Sequence, residues 1–149
     1  MHPANAFTSR LELACPIIQA PMAGTSTPAL AAAVSNAGGL GSLGVGAMNA
    51  AGASEAIRQT RERTHRAFNV NVFCHASAHP DAARERAWLD YLAPFFAEFG
   101  AAPPAALRDI YTSFLVDDDM LQVLCEERPG VVSFHFGLPD ARRIAALRQ

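Results

Sequence analysis

An α/β fold built on a parallel sheet is what this sequence predicts, and three observations carry the prediction. Residues 16–24 (PIIQAPMAG), 68–73 (FNVNVF) and 131–139 (VVSFHFGLP) each begin apolar and turn small or polar at their ends. A helical stretch follows each of them, and strand–helix alternation makes neighbouring strands parallel. Strands that end in polar or small residues, each feeding a helix, are the rhythm of a (β/α) barrel with its ligand at the strand ends. Four such units are written here, the N-terminal half of a TIM-type barrel, with a helical insertion after the third strand. A complete barrel takes about 250 residues, and this chain has 149. Residues 1–149 read as part of one domain without an internal boundary.

The elements follow in order. Residues 16–22 form an apolar run bounded by prolines and predict the first buried strand. Thr27 is placed to cap a helix whose first position suits Pro28, because that position needs no amide partner. Leu30, Ala33, Val34 and Ala37 continue it at helical spacing, and Gly38-Gly39 ends it. Residues 40–46 predict a second strand, in which glycine is tolerable only if something approaches its backbone closely. Residues 51–64 predict an Arg-rich helix packed through Ala56 and Ile57.

Residues 67–73 predict the third strand. Alternation sends Phe68, Val70 and Val72 to one face and Asn69, Asn71 and Phe73 to the other. The stretch 76–130 is too long for a simple connection and predicts helices of its own. Trp88, Leu92, Phe95, Phe96 and Phe99 share one helical stripe and predict packing against the barrel, with Pro94 kinking or breaking the helix. A further helix is predicted over 105–114, and a short one around Leu121–Cys125. Residues 131–137 predict the fourth strand, with Val132, Phe134 and Phe136 facing helices and Val131, Ser133 and His135 facing the interior. Pro139 and Asp140 then start a last helix with Ile144 and Leu147 on its inner side.

Composition limits the function classes. Half the residues are hydrophobic and the net charge is -2, so the chain is globular and offers no polyanion-binding face. Its twelve basic residues are all Arg, and Arg58, Arg61, Arg63, Arg66, Arg84, Arg86, Arg142 and Arg143 predict solvated helix faces rather than a nucleic-acid site. No leader-like apolar core and no membrane-spanning run appear. Cys15, Cys74 and Cys125 are odd in number and far apart, which predicts free thiols in a reducing cytoplasm. His75 and His79, four apart beside Cys74, lack a further ligand at sensible spacing, so no metal site is predicted. The run Asp117–Asp119 reads as helix-start charge, and His2 and His65 read as surface residues.

Three places can carry chemistry. His135 lies near the interior end of the fourth strand, where barrel sites form; a hydrogen-bonded core histidine is the alternative. Asn71 offers both a donor and an acceptor to a flavin or nucleobase edge, against a structural role bridging strands, which is the reading for the deeper Asn69. Pro21-Met22-Ala23-Gly24 would let backbone groups approach a flat ligand beside the adaptable Met22 side chain.

Together, PIIQAPMAGTSTPALAAAVSNAGGLGSLG, FNVNVF and VVSFHFGLP resemble the nitronate monooxygenase family, formerly the 2-nitropropane dioxygenases. The resemblance runs from Leu11 to Gln149 and corresponds to the N-terminal half of such an enzyme. It implies a flavin-dependent (β/α) barrel that uses FMN and O2 to oxidise alkyl nitronates such as propionate 3-nitronate, giving a carbonyl compound and nitrite. It implies backbone contacts from Pro21, Met22 and Ala23 to the isoalloxazine, a flavin contact at Asn71, and His135 in the substrate pocket. The family's proposed catalytic histidine belongs to an EAGGHRG-type segment that this sequence does not contain, so no catalytic residue is assigned. The expected consequences are weak FMN retention, impaired activity, and self-association or pairing with a complementary C-terminal half. The alternatives are an FMN-dependent enoyl-acyl-carrier-protein reductase and a non-catalytic half-barrel module.

Overall fold

Three parallel strands run side by side in chain order: β1 (Gly41–Gly44), β2 (Phe68–Phe73) and β3 (Val131–His135). The computed structural model describes residues 6–149. Gly44 pairs with Asn71, Asn71 with Ser133, and Phe73 with His135. A short helix α1 (Ala6–Arg10) precedes them. Helices α2 (Pro28–Asn36), α3 (Ala50–Arg61), α4 (Ala82–Glu98), α5 (Asp118–Glu127) and α6 (Ala141–Leu147) complete the order.

The caps explain where the helices start. Thr27 accepts from the Leu30 amide at α2, with Pro28 in the first turn as expected. Asp117 accepts from the Met120 amide at α5, and Asp140 from the Arg143 amide at α6. The helix-start reading of the Asp117–Asp119 run therefore holds.

Leu43, Val45, Phe68, Val70 and Val72 form the helix-facing side of the sheet. They pack with Ala53, Ala56 and Ile57 of α3 and Met120 and Leu124 of α5. Gly41 lets α2 close on β1, since a Cβ there would lie 1.8 Å from the Ala31 carbonyl oxygen. Glu127 at the end of α5 ties that helix to α3. It accepts from Ser54 Oγ at 2.8 Å, Arg58 Nε at 2.7 Å and Arg61 Nη1 at 2.8 Å.

The chain divides into two compact units, Met1–Ala76 with Tyr111–Gln149, and Ser77–Ile110. The second consists of α4 with irregular chain on either side of it. Trp88 and Tyr91 stack along α4 at 5.4 Å, and Tyr91 meets Phe95 at 5.5 Å.

Several expectations are corrected. Residues 16–22 are not a strand. They make one parallel bridge, Ile18 to Leu40, and Ile17 and Ile18 are exposed. Backbone bonds hold that bridge, from Gln19 N–H to the Leu40 carbonyl at 2.9 Å and from Leu40 N–H to the Ile17 carbonyl at 2.8 Å. Beyond it the Gln19 side chain continues the pairing: its Oε1 accepts from the Ser42 amide at 3.2 Å and its Nε2 donates to the Ser42 carbonyl at 3.1 Å.

Residues 105–114 are not helical. Phe114 N–H donates to the Phe73 carbonyl at 2.7 Å and Ser113 Oγ to the His75 carbonyl at 2.6 Å, so this end of the segment bonds to the β2 exit rather than to itself. Pro94 does not break α4, which runs through it, and no residue of α4 is buried. Arg143 is not solvated. It is 8% exposed, donates to Asp118 Oδ1 at 2.6 Å and lies 5.4 Å from the Phe114 ring centre. His65 is exposed as expected, and His2 lies outside the described residues.

Candidate active site at the strand ends

The face of the sheet opposite the helices is polar. Ser42 and Gly44 of β1, Asn69, Asn71 and Phe73 of β2, and Val131, Ser133 and His135 of β3 share it, because side chains alternate and the parallel register is unbroken. Towards the carboxyl ends of the strands these residues connect.

Asn71 is fully buried. Its Nδ2 donates to Ser133 Oγ at 2.9 Å, and its Oδ1 lies 3.0 Å from His135 Nδ1. His135 is exposed, and its Nε2 makes no hydrogen bond among the described residues. Deeper in, Asn69 Nδ2 donates to Ser42 Oγ at 3.2 Å. The Asn69 Oδ1 is buried with no partner among the described residues, which is the costly state for a buried carbonyl.

Pro21, Met22 and Ala23 lie against β1. A Cβ at Gly44 would sit 2.9 Å from the Ala23 nitrogen and 3.0 Å from the Pro21 oxygen, so the glycine expected to admit a close approach does so here. The Ser26 hydroxyl fixes this turn. It accepts from the Met22 amide at 2.9 Å and from Gln19 Nε2 at 3.1 Å, and donates to the Ala20 carbonyl at 3.2 Å. The Met22 carbonyl accepts from the Thr25 and Ser26 amides at 3.1 Å and 2.8 Å. Both backbone groups of Met22 are thus used inside the turn. The exposed Ala23 keeps its N–H without a partner among the described residues, and the Met22 side chain is exposed.

Phe73 covers Gly46 and meets Phe136 edge-on at 5.1 Å and Tyr111 at 5.7 Å. Phe136 departs from its expected place against the helices. Its φ of 68° ends the alternation after His135, and the ring is 71% exposed beside Phe73. Cys74, next along β2, is buried, and that burial pushes its thiol pKa up although the nearby Arg143 charge pulls the other way. It is a packing residue rather than a nucleophile.

Asn71 and His135 therefore share one face of β2 and β3, and Pro21, Met22 and Ala23 lie in a turn beside β1 at Gly44. Gln19, Ser26 and Ser133, which hold them, were not singled out from the sequence. A lone glutamine inside an otherwise apolar run was the available signal for Gln19. The arrangement can receive a flat ring: a backbone donor at Ala23, a glycine floor at Gly44, an aromatic edge at Phe73, and a histidine nitrogen at the rim.

The nitronate monooxygenase family matches residues 5–149. The nitronate monooxygenase of Paraburkholderia phytofirmans is 67% identical over 134 residues, covering 90% of this chain and 37% of the relative. That of Pseudomonas aeruginosa is 58% identical over 142 residues, 95% of this chain and 40% of the relative. Among solved structures, nitroalkane oxidase from Streptomyces ansochromogenes superposes with a TM-score of 0.77 at 41% identity, over 97% of this chain and 40% of that one. A FabK mutant from Thermotoga maritima gives a TM-score of 0.66 at 30% identity, over 98% of this chain and 36% of that one. The chain spans about 40% of the length of the Pseudomonas relative.

Proposed function

The chain belongs to the nitronate monooxygenase family of enzymes, and on that premise we propose that its strand ends form the ring-binding side of an FMN-dependent (β/α) barrel that oxidises alkyl nitronates with O2. The observation that carries this reading is the convergence of the free Ala23 amide, the Gly44 floor and the Asn71–His135 pair on one polar face. Three strands in sequential order, with α3 and α5 packed on one side only, support a sheet that curls rather than one wound on both faces.

In this reading Pro21, Met22 and Ala23 line the isoalloxazine. Their backbone does so through Pro21 and Ala23, because Met22 spends its own amide and carbonyl in the turn. Asn71 lies behind this surface, with its second amide N–H as its remaining donor to a ring. His135 borders the nitronate pocket. Bound FMN would supply the redox chemistry between nitronate and O2. The chain's own residues bind, orient and exclude water; the family's later histidine segment is not among them.

The test is oxygen uptake and nitrite release with propionate 3-nitronate and excess FMN, compared with reduction of a crotonyl thioester by the same preparation. Turnover of nitronate, and not of the thioester, is expected. Gly44→Val, which would cover the Ala23 amide, should weaken flavin binding at least about tenfold, equivalent to roughly 1.4 kcal/mol. Reduction of the thioester without nitronate turnover would favour the enoyl reductase reading. A non-catalytic half-barrel that pairs with itself is favoured by the exposed Ile17 and Ile18 beside β1. A strictly monomeric particle in light scattering removes it.

A further inference from the structure

We propose that Asn71 is a positioning residue that fixes His135 as its Nδ1–H tautomer, leaving Nε2 as a hydrogen-bond acceptor at the rim of the site. The proposal rests on the reading that these strand ends form the flavin and nitronate site, but its geometry is independent of any ligand. Asn71 is paired on both flanks within the sheet, with Gly44 on one side and Ser133 on the other. Its side chain is fully buried, and its carbonyl accepts from Val45 N–H at 3.0 Å. It therefore has a fixed frame from which to aim its amide.

One arm reaches sideways to Ser133 Oγ at 2.9 Å, and the other diagonally to His135 Nδ1 at 3.0 Å. With the amide nitrogen donating to Ser133, the oxygen faces the imidazole. A carbonyl oxygen only accepts, so the ring nitrogen opposite must carry the hydrogen. In a neutral ring Nε2 then holds a lone pair.

This sets what His135 can recognise. An acceptor at Nε2 suits an N–H or O–H donor on the bound cofactor or substrate. The anionic oxygens of a nitronate are acceptors themselves and gain nothing from it until the ring takes up a proton. Ser133 takes part through Asn71, as the acceptor of its amide N–H.

Long-range ¹H–¹⁵N spectra of the 149-residue chain, with the imidazole neutral and His135 identified by its loss in His135→Gln, read the tautomer directly. A pyrrole-like Nδ1 and a pyridine-like Nε2 are expected. Asn71→Ala should move the hydrogen towards Nε2, and Asn71→Asp, which keeps an acceptor oxygen facing Nδ1, should retain the native pattern. A native spectrum with Nε2 protonated overturns the proposal, as does a native pattern that survives in Asn71→Ala. Should Asn71→Ala fail to fold, the native spectrum and Asn71→Asp decide, and loss of the Nδ1–H pattern in Asn71→Asp counts against it. None of these readings needs flavin or nitronate, so failure of the oxidase reading leaves a distinct result.

Discussion

The two faces of β2 are satisfied in different ways. Phe68, Val70 and Val72 are buried against α3 and α5, and every partner they need comes from this chain. Asn69, Asn71 and their neighbours on the other face form short polar chains that end at an Asn69 carbonyl and a His135 nitrogen without partners among the described residues. Burial of apolar surface closes the first face and makes it a structural one. The second is hydrogen-bonded internally but keeps polar atoms unpaired among the described residues, as the proposed ligand face requires.

Breaking the apolar face should have the largest effect on stability. Ile57→Ala removes a fully buried side chain from the α3–sheet contact and is expected to cost about 2–5 kcal/mol, read as a lower urea midpoint with unchanged slope. An unchanged midpoint would mean that the helix-facing core is not what holds the sheet.

Glu127 should come next. Burial would raise its pKa, but hydrogen bonds from Ser54, Arg61 and Arg58 together outweigh that and hold it below the ordinary glutamate value. A depressed folded-state pKa contributes stability above the unfolded value, and that contribution is lost as pH falls through the folded one. Glu127→Gln should cost about 1–2 kcal/mol near neutral pH, a modest figure because Arg58 and Arg61 are largely exposed and screened. The difference from the native chain should shrink below the ordinary carboxylate range. A difference that persists in acid would show that the loss is not one of charge.

The polar face should matter least to stability. Asn69→Leu combined with Ser42→Ala removes the Asn69–Ser42 hydrogen bond together with its unpaired carbonyl, and is expected to change stability by no more than about 1 kcal/mol. A loss comparable to that of Ile57→Ala would mean that both faces are core, and the contrast would fail.

Much of this contrast was legible in the sequence. Strict alternation in 68–73 separates the two faces residue by residue, and the capping residues Thr27 and Asp117 mark α2 and α5 through local chemistry alone. What escaped depends on contacts between distant residues. Residues 16–22 look like a strand, but past the backbone bridge to Leu40 the Gln19 side chain does the pairing that backbone would do. Phe136 continues an apolar alternation that a left-handed backbone interrupts. Arg143 has a common surface composition, yet it is buried beside Phe114 and Asp118. Asn71 and His135 were recognisable as candidate site residues, whereas the hydrogen bond between them was not, because no sequence pattern encodes which arm of an amide faces which neighbour.

The most direct test of the strand ends as a ligand face is an FMN titration followed by amide chemical shifts, which reports weak binding as well as tight. The account predicts saturable shifts concentrated at Ala23, Gly44, Asn71 and His135, with α3 and α5 unmoved. Shifts confined to the helices, or none at all as flavin is raised to its solubility limit, would contradict it.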